Sequence, residues 1–240
     1  MIQIAVINAT TVLTDAALKA MVDAVQVQVH RDFFPVWGLD ATLNFVPKDN
    51  KPPLGMSWMA VLDTADVAGA LGYHDVTNDG LPLGKVFAKT TVDDGGKVSV
   101  TLSHEVLEML VDPDVNLLCE IGTGRTRRYF AYEVCDAVEA DNLGYDINGV
   151  TVSDFVTPAY FETFLPKGRK FDFQGKLQSP MPAMLPGGYL AYEQDGSWHQ
   201  IFAEHTSDKA KFSARPHPGS RRQRRMLGKA DWLLSSVDVG

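Results

Sequence analysis

The stretch Thr101-Leu-Ser-His-Glu-Val-Leu-Glu-Met-Leu-Val-Asp-Pro-Asp114 constrains this chain more than any other. On a helix with 3.6 residues per turn, His104 and Glu108 lie one turn apart on the same face, and Glu105 sits beside them, displaced by about 100°. Val106, Leu107, Leu110 and Val111 take much of the remaining circumference. Such a helix is expected to be largely buried, with its polar edge turned to a cleft. Pro113 restricts Asp112 and stops the helix. The chemistry this spacing suggests is metal binding: His104 offers a nitrogen and Glu108 an oxygen one turn on, and a third ligand must come from elsewhere. A carboxylate next to the first ligand, here Glu105, is placed to act as a general base on a metal-activated water.

Two sources of the third ligand compete. Asp114 lies ten residues after His104, just past the helix end. Glu133 and Asp136 lie in an acidic segment further on, and this pair is favoured because a helix C-terminus disfavours a carboxylate unless a cation is near. The bland alternative is that His104 and Glu108 form only an i,i+4 hydrogen-bonded pair.

The segments around this helix read as mixed α and β. Ile2 to Ile7 is a β-rich apolar run, and Thr14-Asp15 opens a helix in which Leu18, Met21, Val22, Val25 and Val29 recur at helical spacing, ending near Phe34-Pro35. Thr42 to Val46, Met56 to Leu62 and Lys85 to Thr91 read as strands, and Gly69 to Asp75 as an edge strand. Asn78-Asp-Gly80 is a turn. Arg128 to Val138 reads as a strand running into the acidic stretch of Glu139 and Asp141. Asn148-Gly149 marks a hairpin between Tyr145 to Ile147 and Val150 to Val152. Thr157-Pro158 opens a short aromatic segment, Ala159 to Phe164. Beyond Pro166 the chain is rich in Gly and Pro, with strand-like pieces at Gly188 to Tyr192 and Ser197 to Phe202. The division expected is therefore a main unit over 1–165 and a smaller β-rich extension over 166–240.

Composition bounds the function classes. With 240 residues, 45% hydrophobic and 22% charged, the chain has enough apolar material for one large domain. A net charge of -8 argues against a general nucleic-acid binder. Arg221-Arg-Gln-Arg-Arg225, flanked by Pro216, Pro218 and Gly219, reads as a solvated basic loop. No secretory leader and no membrane span are expected, and a cytoplasmic setting is expected with them. Cys119 and Cys135 lack a CxxC spacing and read as reduced. His199, His205 and His217 have no useful partner spacing.

On these residues the chain resembles the zincin metallopeptidases. The shared features are the order of strands, an edge strand with Gly72-Tyr-His74, and a helix bearing Ser103-His-Glu-Val-Leu-Glu108. The zincin signature is HExxH, and Glu108 stands where the second His would be. The chain also resembles bacterial and phage-associated zincin-like proteins in which HExxE is followed by Asp-Pro, here Asp112-Pro113, and later by ExxD, here Glu133-Val-Cys-Asp136. The resemblance makes the unit over 1–165 the catalytic one and implies an α+β, zincin-like fold: a twisted mixed sheet, a backing helix and a site helix. It implies metal on His104, Glu108 and Glu133 or Asp136, Glu105 as base, and peptide bound along the edge strand at Gly72 and His74. Tyr160 stands where similar proteins carry an aromatic near the cleft, available to an oxyanion or simply packed among Phe161 and Phe164. His74 is either a cleft contact or a solvent-facing edge residue. One imidazole with two carboxylates is a harder site than two imidazoles with one, so Zn2+ is expected with Mn2+ or Ca2+ as alternatives. The implied function is hydrolysis of peptide or amide bonds. The alternative is a non-catalytic structural or assembly protein, virion-associated with a phage-particle partner, that keeps the scaffold and a vestigial metal site.

Overall fold

The computed structural model describes residues 1–66, 70–77, 80–162 and 167–203. The fold is α+β. Strand β1 (Ile2–Asn8) runs through the centre, with β2 (Ala41–Val46) and β3 (Ser57–Leu62) parallel to it on either side. Strand β4 (Gly72–Val76) is antiparallel to β5 (Pro82–Phe87), which is itself parallel to β3, giving the order β2-β1-β3-β5-β4. The mixed sheet therefore places its one antiparallel strand at an edge.

Helix α1 (Asp15–Val27) backs this sheet. Its start is set by Thr14, whose hydroxyl accepts from the Ala17 N–H at 3.1 Å. Leu18, Val22 and Val25 face inward at the helical repeat. The helix continues through one π-helical segment, Gln28–Phe33, into the short α2 (Phe34–Trp37), so it passes the expected stop at Phe34-Pro35. Pro35 lies just inside α2, and Gly38 at φ 70° ends it.

The strand expected over Lys85 to Thr91 is half right. Strand β5 ends at Phe87, and Ala88–Asp93 form α3. The N–H groups of Lys89 and Thr90 both donate to the carbonyl of Asp63 at the end of β3, and Lys89 pairs with Asp93 one turn on. These contacts override the β preference of the paired threonines. Helix α4 (Val98–Val111) follows, and every residue from Val98 to Leu110 is buried. It ends at Asp112, whose carboxylate accepts from the N–H groups of Asn116 and Leu117.

A second sheet, ordered β11-β10-β7-β6, lies beyond α4: β6 (Leu118–Ile121), β7 (Arg128–Ala131), β10 (Tyr189–Gln194) and β11 (Ser197–Phe202). Strand β6 was not expected. The strand expected over Arg128 to Val138 stops at Ala131, and Asp136–Val138 form a 3-10 turn. Strands β8 (Tyr145–Ile147) and β9 (Val150–Val152) form the anticipated hairpin, with both Asn148 and Gly149 at positive φ as a two-residue turn of this kind requires.

Leu177, Met181 and Leu190 belong to the same apolar cluster as Ile4, Val6, Leu102 and Leu107. Strand β10 also pairs with β7. Residues 167–203 thus complete the main core, and the division expected at 165/166 is not a division in packing; positions 165 and 166 themselves, and 204–240, lie outside the described residues. So do Gly69, Asn78, Phe164, His205, His217 and the Arg221–Arg225 cluster. Among the described residues, no helix is long and apolar enough to cross a membrane. Cys119 and Cys135 are free thiols.

Candidate metal centre

Helix α4 brings His104, Glu105 and Glu108 to one region, each 8% exposed or less. Strand β4 faces them. Alternation along β4 puts Gly72 and His74 on one side and Tyr73 on the other, where Tyr73 packs beside Phe87. His74 is 2% exposed, with Nδ1 3.6 Å from Glu105 Oε2 and 3.8 Å from Glu108 Oε2. The solvent-facing alternative for His74 is therefore wrong: it turns into the helix rather than away from it. Gly72 is what lets strand and helix meet so closely. A Cβ there would lie 2.7 Å from Glu105 Oε1 and 2.9 Å from Thr101 Cγ2.

The third wall is the turn after β7. The Cys135 N–H donates to Glu108 Oε1 at 3.1 Å, which fixes that carboxylate and leaves Oε2 directed at His104 Nε2, also at 3.1 Å. Asp136 Oδ1 approaches the same imidazole nitrogen at 3.2 Å. Two ligands on one ion with bonds of about 2.0–2.2 Å stand about 3–3.5 Å apart, so each of these separations suits a shared ion. Asp136 is therefore the member of the Glu133/Asp136 pair that meets His104. Glu133 is buried but belongs to none of the three sets of ligand atoms lying within 4.8 Å of one another: His104, Glu108 and Cys135; His74, Glu105 and Glu108; His104, Asp136 and Glu139. Asp114 is exposed and belongs to none of them either.

Burial and mutual charge dominate the electrostatics. Burial alone would lower the His104 pKa, but Glu108 and Asp136 outweigh it and hold the imidazole well above its usual value. Burial, reinforced by Glu108, pushes Asp136 up to about 6 against the hydrogen bonds from His104 and Tyr189. The Cys135 thiol is raised well above its ordinary range, chiefly by burial. Tyr189 is likewise held far up by burial and by the charges of Asp136, Glu139, Glu108 and Glu105, so its hydroxyl remains a donor.

Burial, and after it the charge of Asp136, raises the Tyr160 phenol, so Tyr160 lies near the same carboxylate, but its hydroxyl is engaged elsewhere. It is 1% exposed and its hydroxyl donates to the Ala183 carbonyl at 2.6 Å, which commits its one proton to a backbone acceptor. Its ring packs edge-on against Phe161. The tyrosine at the centre is Tyr189, and sequence reasoning missed it together with Cys135 and Glu139. One signal was available: Gly188 precedes Tyr189, and a Cβ at Gly188 would meet the Asp136 and Ala137 carbonyls at 3.0 Å and 2.5 Å. That glycine permits the close approach that carries Tyr189 to Asp136.

Comparison of the chain with protein-family models, with curated proteins and with solved structures finds no match.

Proposed function

We propose that this chain is a metal-dependent hydrolase of peptide or amide bonds on a zincin-like fold, with His104, Glu108 and Asp136 holding the ion. The observation that carries the reading is the position of His104 Nε2, 3.1 Å from Glu108 and 3.2 Å from Asp136, with Glu105 on the same helix beside it. A divalent ion held there would acidify a water and polarise a scissile carbonyl. Glu105 is the carboxylate adjacent to the ligands that accepts the water's proton and returns it to the leaving amine. The Tyr189 hydroxyl, bonded to Asp136, would hold that carboxylate in place beside the ion. Strand β4, at the sheet edge and against α4, offers an extended peptide main-chain pairing with little sequence selectivity. The oxygen-rich donor set suits Zn2+ and also admits Mn2+ or Ca2+. Peptide or protein is the substrate class of this reading, and a cytoplasmic or virion-associated setting goes with it.

The test is hydrolysis of an unstructured protein such as casein by zinc-loaded protein, beside Glu105→Gln. Hydrolysis by the wild type, lost in the variant with zinc still bound by His104, Glu108 and Asp136, is the expected result. Equal activity in the two would remove Glu105 from the mechanism.

One observation favours a second reading. The four carboxylates Glu105, Glu108, Glu133 and Asp136 are each 5% exposed or less, which suits a sealed ion that holds the fold together as well as one that reaches a substrate. A structural or assembly protein, phage-associated in this reading, would bind metal, lose thermal stability on chelation and hydrolyse nothing.

A further inference from the structure

We propose that the centre holds two divalent ions, with Glu108 Oε2 shared between them. This rests on the metal reading above and adds a second ion, liganded by His74, Glu105 and Glu108, beside the one on His104 and Asp136.

Three observations lead there. First, two groups of donors meet at one carboxylate: His74, Glu105 and Glu108 offer atoms within 4.8 Å of one another, as do His104, Glu108 and Cys135, and His104 also belongs to a third such group with Asp136 and Glu139. Second, the same oxygen, Glu108 Oε2, lies 3.1 Å from His104 Nε2 and 3.8 Å from His74 Nδ1, because the Cys135 N–H holds the other oxygen of that carboxylate. An oxygen placed between two imidazoles from different elements is the arrangement a bridging ligand needs. Third, His74 Nδ1 stands 3.6 Å and 3.8 Å from two carboxylate oxygens, near the separation of ligands on one ion. With Glu105 Oε2 turned to the second ion, Oε1, on the side where Gly72 lacks a side chain, is the oxygen left to take a proton.

The experiment is elemental analysis of the full chain, stripped with chelator, equilibrated with Zn2+ and gel-filtered. It is paired with His74→Ala and with electron paramagnetic resonance of the Mn2+-loaded wild type. Two zinc per wild-type chain, one per His74→Ala chain and an exchange-coupled manganese signal are expected. One zinc in both proteins with an uncoupled signal overturns the second ion and leaves the single-ion reading standing. Two in both places the extra ion elsewhere and overturns the assignment. No zinc in the wild type overturns both readings. If His74→Ala does not fold, the wild-type stoichiometry and the coupled signal still decide.

Discussion

Gly72 and Glu105 touch in a way that admits no side chain on the strand: a Cβ at 72 would lie 2.7 Å from Glu105 Oε1 and 2.9 Å from its Cγ. Gly72→Ala should therefore push β4 away from α4 or turn Glu105 aside. A loss of about 1–3 kcal/mol in urea denaturation is expected, as for other small-to-large changes in packed sites. Hydrolysis should fall with it. An alanine variant of wild-type stability and activity would mean that the strand and helix are not in register here.

Glu108 does two things at once, accepting the Cys135 N–H and facing His104. Glu108→Ala should abolish metal binding and strand a buried amide, at a cost of about 1–3 kcal/mol. Glu108→Gln separates the two, since its amide oxygen can still accept from Cys135 while the charge is gone. Thermal melts with and without chelator check this: only the wild type should shift.

The two tyrosines make opposite forecasts. Tyr189→Phe removes the hydroxyl bonded to Asp136 and should lower hydrolysis about tenfold or more with little change in melting temperature. Tyr160→Phe removes a hydrogen bond to Ala183 and should cost about 1 kcal/mol of stability while turnover is kept. A reversed result would give Tyr160, not Tyr189, the part in turnover.

Away from the centre, Asp154 and Asp172 are both fully buried. Asp154 is pushed up to about 8 by burial and by the neighbouring Asp172, against the N–H groups of Phe155 and Gln174. Because the folded pKa lies above the ordinary value of 3.8, the folded state binds the proton more tightly than the unfolded chain. The stability this confers is complete below about pH 4, declines as pH rises toward 8 and is then exhausted. Asp154→Asn, neutral throughout, should lack this component. The wild type should lose on the order of 2–4 kcal/mol relative to the variant between pH 5 and pH 8. Urea denaturation at the two values measures it.

Much of this was legible in the sequence where the signal was local. The apolar repeat around His104 predicted a buried helix, Thr14 its predecessor's start, and Asn148-Gly149 a hairpin, because spacing and turn chemistry act over a few residues. What was not legible depended on partners distant in the chain. Lys89 and Thr90 are helical because their N–H groups find the Asp63 carbonyl. The chain leaves the strand geometry after Ala131, and its turn at Cys135 meets a carboxylate 27 positions earlier. That Asp136 rather than Glu133 meets His104 was open for the same reason: it turns on which side chain the turn after β7 presents to α4. His74 was ambiguous because an edge strand has two faces and the sequence does not say which one a helix covers.

Calorimetric titration of the metal-free full chain with Zn2+ tests the central claim most directly, since everything proposed depends on His104, Glu108 and Asp136 acting together on an ion. Saturable binding of at least one equivalent, with one equivalent lost in both His104→Ala and Asp136→Ala, is the predicted result. A wild-type chain that takes up no zinc, or that binds it equally well without either residue, would contradict the account.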